Sequence, residues 1–428
     1  MERRQFLPTL ASPLLATSAY SQARPRPNFV FVLVDDLRWD SLGCTGHPFL
    51  KTPHIDSLAA EGARFTNAFV TTPLCSPARG SFLTGQYVHK HGVVGNRGHE
   101  ELSHKLVTFP RILRDAGYET GYVGKWHMGN DDTPRPGFDR WVSFRGQGVY
   151  NDPALNIDGK AVKESGYITD ILSKHAAEFI GGRREKPFCL YLGHKAIHGP
   201  FTPAERHRDL YRDEPLPRRP NYKPGGPSDD IARNQMRCIA SIDDGVGTLI
   251  GALKQSGQYD NTCFVFTSDN GYFWGEHGYG DKRWAFDESL RIPLVARMPS
   301  RIAAGSVIAG DALNIDIAPT FLDLAGVKPP SWMHGQSLAP LWAKRPPKWR
   351  EGFLAEYMKE ANFPRTPTWQ AYRTPKWKYV RYPEETREEL FDLAADPYEM
   401  TNRIADRGAS RQLARMRTDL DRLLRATS

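Results

Sequence analysis

Four stretches of the chain are continuously apolar, rich in β-branched and aromatic residues, and each ends in a polar cluster. Asn28–Val34 runs into Asp35-Asp36, and Gly117–Val123 runs into Gly124-Lys125-Trp126-His127. Pro187–Leu192 is followed by Gly193-His194, and Thr262–Thr267 by Ser268-Asp269-Asn270-Gly271. Unbroken runs of this kind predict strands covered on both faces, as in a parallel sheet between helices. Helical periodicity fills the intervals: short patterns over Ile55–Gly62 and Ser76–Thr84, an amphipathic one over Ile168–Ile180, and the longest over Ile231–Gln255. The alternation predicts an α/β fold, a large, mostly parallel, doubly wound sheet flanked by helices. Ligands of such sheets bind beyond the carboxyl ends of the strands. All four ends carry Asp, Lys, His or Asn, so the pattern predicts one shared cleft.

The pattern changes after Lys344-Arg-Pro-Pro-Lys-Trp-Arg350, a basic, proline-rich stretch. Short strand-like runs follow at Gly352–Glu356, Trp377–Arg381 and Leu390–Leu393, then an amphipathic helix over about Ser410–Leu424. They predict a small C-terminal antiparallel sheet plus helix. The expected organisation is an export signal over 1–23, a catalytic domain over 24–345 and a C-terminal α+β subdomain over 346–428. No internal repeat or low-complexity tract interrupts it.

The signal rests on Arg3-Arg4-Gln5-Phe6-Leu7, a mildly apolar stretch, and the small-x-small site Ser21-Gln22-Ala23. This is a twin-arginine export pattern, which implies a periplasmic location. The apolar stretch is too short to span a bilayer and no other segment approaches one, so stable membrane insertion is not expected. The 428 residues are 40% hydrophobic and 25% charged, as in a soluble globular protein. A net charge of +8 favours anionic ligands in general. Without a long Lys/Arg run or a basic stripe interleaved with aromatics, it does not point to nucleic acid. The five cysteines show no zinc spacing.

Cys75-Ser76-Pro77-Ala78-Arg79 precedes a helical pattern ending near Gly85. A helix start presents free N–H groups and a positive dipole end, which suit a reactive sulfur or an anion. A buried structural cysteine is the other reading of this placement alone. Asp35, Asp36, Asp269 and Asn270 offer only oxygen ligands, suited to Ca²⁺ or Mg²⁺ rather than zinc. Taken singly, Asp-Asp and Asp-Asn are also ordinary turn residues.

The segment Cys75–Arg79, continued by Ser81-Phe-Leu-Thr-Gly85, resembles the signature of the sulfatase family within the alkaline phosphatase superfamily. The likeness extends from Asn28 to about Pro299 and returns in Glu389-Leu390-Phe391-Asp392-Leu393. It includes Thr52–Asp56, Gly124–Gly129, Ser268–Gly271, Gly275–Gly278 and Asp281-Lys282-Arg283. Ala78 and Gln86 depart from the residues usual at those places, but Cys75, Pro77 and Arg79 are retained.

The resemblance implies that a formylglycine-generating enzyme converts Cys75 to formylglycine. The hydrate of that aldehyde would attack sulfur and keep a second hydroxyl whose deprotonation expels sulfate. The resemblance further implies that Asp35, Asp36, Asp269 and Asn270 bind Ca²⁺ together with the side chain of residue 75. Arg79 would hold the hydrated aldehyde, Lys125 and Lys282 the sulfate oxygens, and His127 would take the proton. His198 would lie at the leaving group with Lys282, and His194 is a nearby alternative. Glu276, His277, Glu288 and Arg291 fall in the expected substrate-facing segment, with substrate or structural roles equally open. Asp243-Asp244 reads as exposed or capping, and His47, His54, His89, His91 and His99 read as loop residues.

Bacterial carbohydrate sulfatases, N-acetylglucosamine-6-sulfatases among them, share Pro136–Arg140 and Phe144–Tyr150 most closely. The resemblance therefore implies a sulfated carbohydrate as substrate, namely 6-O-sulfated N-acetylglucosamine of a glycosaminoglycan or mucin. The rivals are a phosphomonoester or phosphonate ester hydrolase of the same superfamily, and a non-catalytic binder of sulfated glycans in which Cys75 stays a thiol. Mass spectrometry of the Phe65–Arg79 peptide from the native host should show formylglycine at position 75. An unmodified cysteine there would exclude the mechanism.

Overall fold

The computed structural model describes residues 26–343, 346 and 348–428, so the export signal expected over 1–23 lies outside the described residues. The chain opens with β1 (Asn28–Val34), α1 (Pro53–Glu61), β2 (Ala63–Phe65), α2 (Cys75–Thr84) and α3 (Phe109–Asp115). Then come β3 (Glu119–Lys125), β4 (Arg140–Phe144), the hairpin β5 (Ala154–Ile157) and β6 (Lys160–Lys163), and α4 (Ile168–Gly181). Next are β7 (Phe188–Gly193), α5 (Asp229–Gln255), β8 (Thr262–Ser268), β9 (Leu294–Arg297), β10 (Ser306–Ile308) and α6 (Ile317–Leu324). One sheet takes the order β10-β2-β9-β8-β1-β7-β3-β4-β5-β6.

The four strands expected from the sequence are neighbours in the order β8-β1-β7-β3, all parallel, with β4 added in parallel beside β3. Antiparallel pairing enters through β9 on one side, beyond which β2 and β10 pair parallel to each other, and through the β5–β6 hairpin on the other. Those short edge strands carry weaker patterns and were not legible as strands. The expected second strand begins two residues late, at Glu119, and runs on through Lys125.

Strand β1 shows why the centre is buried. Phe29, Phe31 and Leu33 join one apolar cluster with α2, α3 and α6. Val30, Val32 and Val34 join another with α1, α4 and α5. Side chains alternate across a strand, so an uninterrupted apolar run feeds two cores at once. Each large side chain so buried contributes roughly 1.5–3 kcal/mol.

Asp243 of α5 is buried and caps the start of α1, accepting from the N–H groups of His54 at 3.1 Å and Ile55 at 2.9 Å. Asp244, one residue on, pairs at the surface with Arg206. His54 thus stands at a helix start, and His89 and His91 sit in a helical turn, Val88–His91, rather than in loops.

The C-terminal part is an antiparallel sheet of β11 (Phe353–Tyr357), β12 (Trp369–Arg373), β13 (Trp377–Tyr382) and β14 (Arg387–Asp392), followed by α7 (Ser410–Thr427). Its apolar side chains, with Met416 and Leu420 of α7, belong to the same cluster as Phe29 and Phe31. A buried ionic clasp pins it to the helical turn Asp287–Leu290, just beyond Lys282. Lys378 Nζ lies 2.6 Å from both Asp287 Oδ1 and Glu399 Oε1, and Arg373 Nη2 lies 2.8 Å from Asp287 Oδ2. The Trp369 indole N–H also donates to the Arg283 carbonyl at 2.7 Å, bracing the segment that carries Lys282. No helix among the described residues is long and apolar enough to cross a membrane.

Gly124 sets the path of β3 just before Lys125. Its φ is +115°, and a Cβ there would lie 1.9 Å from the Gly193 carbonyl oxygen on β7. The Gly124→Ala variant should lose about 3 kcal/mol or more of folding free energy, read as a fall in the urea midpoint or as insoluble expression. A variant as stable as the parent would show that the two strands do not approach this closely.

Candidate active site

The carboxyl ends of β1, β3 and β8 converge on the first turn of α2. Leu74 is extended, Cys75 opens the helix, and Gly85 closes it at φ +69° with its N–H on the Ser81 carbonyl. Residues four apart share a helix face, so Cys75 and Arg79 point the same way. Cys75 Sγ lies 3.4 Å from Asp35 Oδ1. Arg79 reaches Asp269 Oδ2 through Nε at 3.0 Å and Nη2 at 2.8 Å. Its Nη2 also lies 3.3 Å from Asp35 Oδ2, and its Nη1 donates to the Lys125 carbonyl at 2.7 Å.

Adjacent strand residues point to opposite faces, so Asp35 and Asp36 can share a cleft only if the extended chain breaks. It breaks at Asp36, whose φ is +64°. Asp36 Oδ1 then accepts from Lys282 Nζ at 2.5 Å and from Asn270 Nδ2 at 2.6 Å. Lys125 Nζ donates to Asp35 Oδ2. Three carboxylates and three cations therefore meet in one buried place.

Their proton affinities follow from this packing. Burial works against the Asp35 charge, but Lys125 above all, then His198 and Arg79, hold its carboxyl well below the usual range. Asp269 moves the other way: burial and the neighbouring Asp35 charge push it up to about 7. Burial also opposes the Lys282 charge, yet Asp36 holds that ammonium firmly protonated. Burial, then Asp35, push the Cys75 thiol well above its ordinary value, so as a plain cysteine it is a weak nucleophile. A divalent cation among these carboxylates would act in the opposite sense.

The donors fit such a cation. Ligand atoms of Asp35, Asp36, Cys75 and Asp269 all lie within 4.8 Å of one another. Asn270 spends its NH₂ group on Asp36 and the Gly271 carbonyl, and its Oδ1 is buried without a partner. A buried amide oxygen left unsatisfied is costly unless something outside the protein's own groups binds it. Carboxylate and amide oxygens are the ligands of a hard ion.

Two histidines border the cluster. The Ser76 hydroxyl donates to the His127 carbonyl and sits 3.3 Å from His127 Nδ1. A hydroxyl has one proton to give, so Nδ1 carries the ring proton and Nε2 keeps its lone pair. Burial, then Lys125, keep this ring neutral. His198 brings a ring nitrogen within 4.8 Å of ligand atoms of Asp35 and Cys75, and its Nε2 lies 3.9 Å from Asp36 Oδ2. The Tyr150 hydroxyl donates to the His198 carbonyl at 2.6 Å, and Lys195 Nζ donates to the Gly199 carbonyl at 3.0 Å, fixing this loop. Burial and Lys125 push His198 down to about 4. His194, the alternative, is buried with neither ring nitrogen partnered.

The segment beyond Lys282 packs largely against itself. Glu276 is buried and paired with Arg38 at 2.6 Å. Glu288 accepts from Asn221 at 2.9 Å, His277 stacks on Phe286 with centroids 3.9 Å apart, and Arg291 bonds the Thr66 carbonyl. All four side chains thus have structural partners. Ser76 and Tyr150 were not singled out from the sequence. Ser76 sits inside the Cys75–Arg79 signature, and Tyr150 ends the Phe144–Tyr150 segment that resembles bacterial carbohydrate sulfatases.

Comparison with known proteins bears on this arrangement. The family model described as Sulfatase matches residues 27–327, and that described as N-sulphoglucosamine sulphohydrolase, C-terminal, matches residues 275–426. The chain belongs to the sulfatase family. This sulfatase is 31% identical to the N-acetylglucosamine-6-O-sulfatase of Bacteroides thetaiotaomicron, over 92% of this chain and 86% of the relative. A solved complex with its substrate D-glucosamine-2-N,6-O-disulfate superposes with a TM-score of 0.85 at 30% identity, covering 93% of this chain and 97% of that one. The phosphonate monoester hydrolase of Agrobacterium radiobacter superposes with a TM-score of 0.78 at 24% identity, covering 94% and 96% of the two chains, which shows a common fold.

Removing the Arg79 charge leaves Asp35 and Asp269 facing each other without their shared cation. The Arg79→Met variant should lose about 3–5 kcal/mol of unfolding free energy in the presence of a chelator. An unchanged denaturation midpoint would mean that the guanidinium does not balance these carboxylates.

Proposed function

We propose that this sulfatase is exported and removes the 6-O-sulfate of N-acetylglucosamine-type sugars, using a formylglycine made from Cys75 and one Ca²⁺. The observation that carries the reading is the gathering of Cys75 Sγ with Asp35, Asp36 and Asp269 inside 4.8 Å, ringed by Arg79, Lys125 and Lys282. The sugar follows from the names of the relatives, whose carbohydrate substrates it would share.

In this reading Asp35, Asp36, Asp269, Asn270 and the side chain of residue 75 hold the ion, with Mg²⁺ as a possible substitute. The ion supplies charge neutralisation for an anionic ester in a buried site. As its hydrate, the formylglycine supplies one oxygen for attack on sulfur and a second hydroxyl for release of sulfate.

The chain's own residues do the rest. Arg79, braced by two carboxylates, orients the oxygen atoms at position 75. Lys125 and Lys282 bind the non-bridging sulfate oxygens, fixed donors that need no rearrangement as charge develops. His127 Nε2, neutral, accepts the proton from the remaining hydroxyl. His198, with Lys282, protonates the departing alcohol. Its ring is neutral before substrate arrives, and an approaching sulfate anion raises its proton affinity.

The reading extends to the chain's organisation and maturation: a twin-arginine signal over 1–23 and a periplasmic destination, then units at 24–345 and 346–428. Cys75 would be converted by a formylglycine-generating enzyme during maturation.

Defined 6-O-, 4-O- and 2-O-sulfated monosaccharides, with nitrophenyl sulfate, phosphate and phosphonate esters alongside, provide the test. The 6-O-sulfated N-acetylglucosamine should be preferred, and chelation should remove activity. Cys75→Ala should lower turnover by at least about a thousandfold with the fold intact. Asp269→Ala should lose both activity and calcium-dependent thermal stabilisation. Preference for the phosphorus esters, or substantial sulfatase activity in Cys75→Ala, would overturn the reading.

A further inference from the structure

Gln147 lies in Arg145-Gly-Gln-Gly-Val-Tyr150, the connection that follows β4. Strand β4 runs parallel to β3 and pairs Phe144 with Lys125, so this connection leaves at the active-site rim. Gly146 and Gly148 flank Gln147 at φ +55° and +63°. A Cβ on Gly148 would lie 2.4 Å from the Phe144 ring, so the turn there requires glycine. The same connection carries Tyr150, whose hydroxyl bonds the His198 carbonyl.

The Gln147 side chain makes one polar contact among the described residues: its Oε1 accepts from Lys125 Nζ at 2.5 Å. An ammonium can only donate, so the carboxamide oxygen must face Lys125 and the NH₂ group must point away. Lys125 itself is fully buried, whereas Gln147 is partly exposed. Gln147 therefore caps Lys125 on the open side of the site. Of the three N–H bonds on Lys125 Nζ, one goes to Asp35 and one to Gln147, which leaves the direction of the third fixed.

We propose that Gln147 is a substrate-positioning residue for the sulfate group. It aims the free N–H of Lys125, and it offers its own NH₂ to the same anion. The inference rests on the sulfatase reading above and extends it to a residue outside the Cys75–Arg79 signature. Because Gln147 is neutral, it adds a donor without adding charge. The contact is equally available to bound ester and to released sulfate, so its loss acts on binding more than on turnover.

The test compares the full-length matured enzyme with Gln147→Ala and Gln147→Glu, using nitrophenyl sulfate as substrate and inorganic sulfate as inhibitor. A hydrogen bond to a charged partner contributes enough that Gln147→Ala should raise KM about tenfold. The sulfate inhibition constant should rise in parallel, with kcat changed less than about threefold. Gln147→Glu keeps the size and the contact with Lys125 but places a negative charge beside the sulfate, so its KM should rise further than that of the alanine variant. Melting temperature and calcium content should match the parent in both. A KM that is unchanged or lower in Gln147→Ala overturns the proposal, as does a Gln147→Glu variant that binds sulfate as well as the parent. An inactive parent would instead sink the sulfatase reading itself, and this inference with it.

Discussion

The structure depends on a balance of charge in a place without water. Asp35, Asp36 and Asp269 are buried at the carboxyl end of the sheet, and none could be held there as an isolated anion. Arg79, Lys125 and Lys282 answer them one for one, through contacts that cross from helix to strand and from strand to loop. Removing either partner of such a pair strands the other, which makes the cluster a strong constraint on how the surrounding elements pack. A dication placed among the same groups would leave a net positive site, the complement of a monoanionic ester.

That constraint explains features of the fold remote from the chemistry. Gly124 and Gly193 let β3 and β7 approach closely enough for Lys125 to reach Asp35. The C-terminal sheet has no residue in the central cluster, yet Trp369 holds the Arg283 carbonyl and Lys378 clasps Asp287. It thereby fixes both ends of the short segment that begins at Lys282. A loop carrying a buried cation would otherwise be free to move, and a misplaced donor binds poorly. The buried ionic clasp is better read as registering the C-terminal sheet against the Asp287 segment than as net stabilisation.

Neutral groups around the cluster refine it. Ser76 selects the His127 tautomer, Tyr150 fixes the His198 loop, and Gln147 lies over Lys125. These three residues come from two separate stretches of chain, the start of α2 and the connection after β4. They share one property: each holds a cleft residue in place without altering the charge count.

The central strands were legible because an apolar run buried on both faces has few alternatives, and their polar ends because a shared cleft is where such sheets bind ligands. Cys75, Pro77 and Arg79 were legible because their spacing is local. The edge strands β2, β9 and β10 were not, since three or four residues carry too little pattern. Asp243 was read as exposed or capping; burial beneath α1 could be known only from the packing. The sequence alone therefore determined the sheet core, the sulfur-bearing helix start and the oxygen-bearing side chains at the strand ends. The tertiary structure decided which histidine stands beside Cys75, that Glu276 and Glu288 are tied into the scaffold, and that Gln147 covers Lys125. The physical reason is that chain-local spacing fixes which face a residue shares, whereas contacts between residues 20 to 250 positions apart depend on how whole strands and helices close on one another.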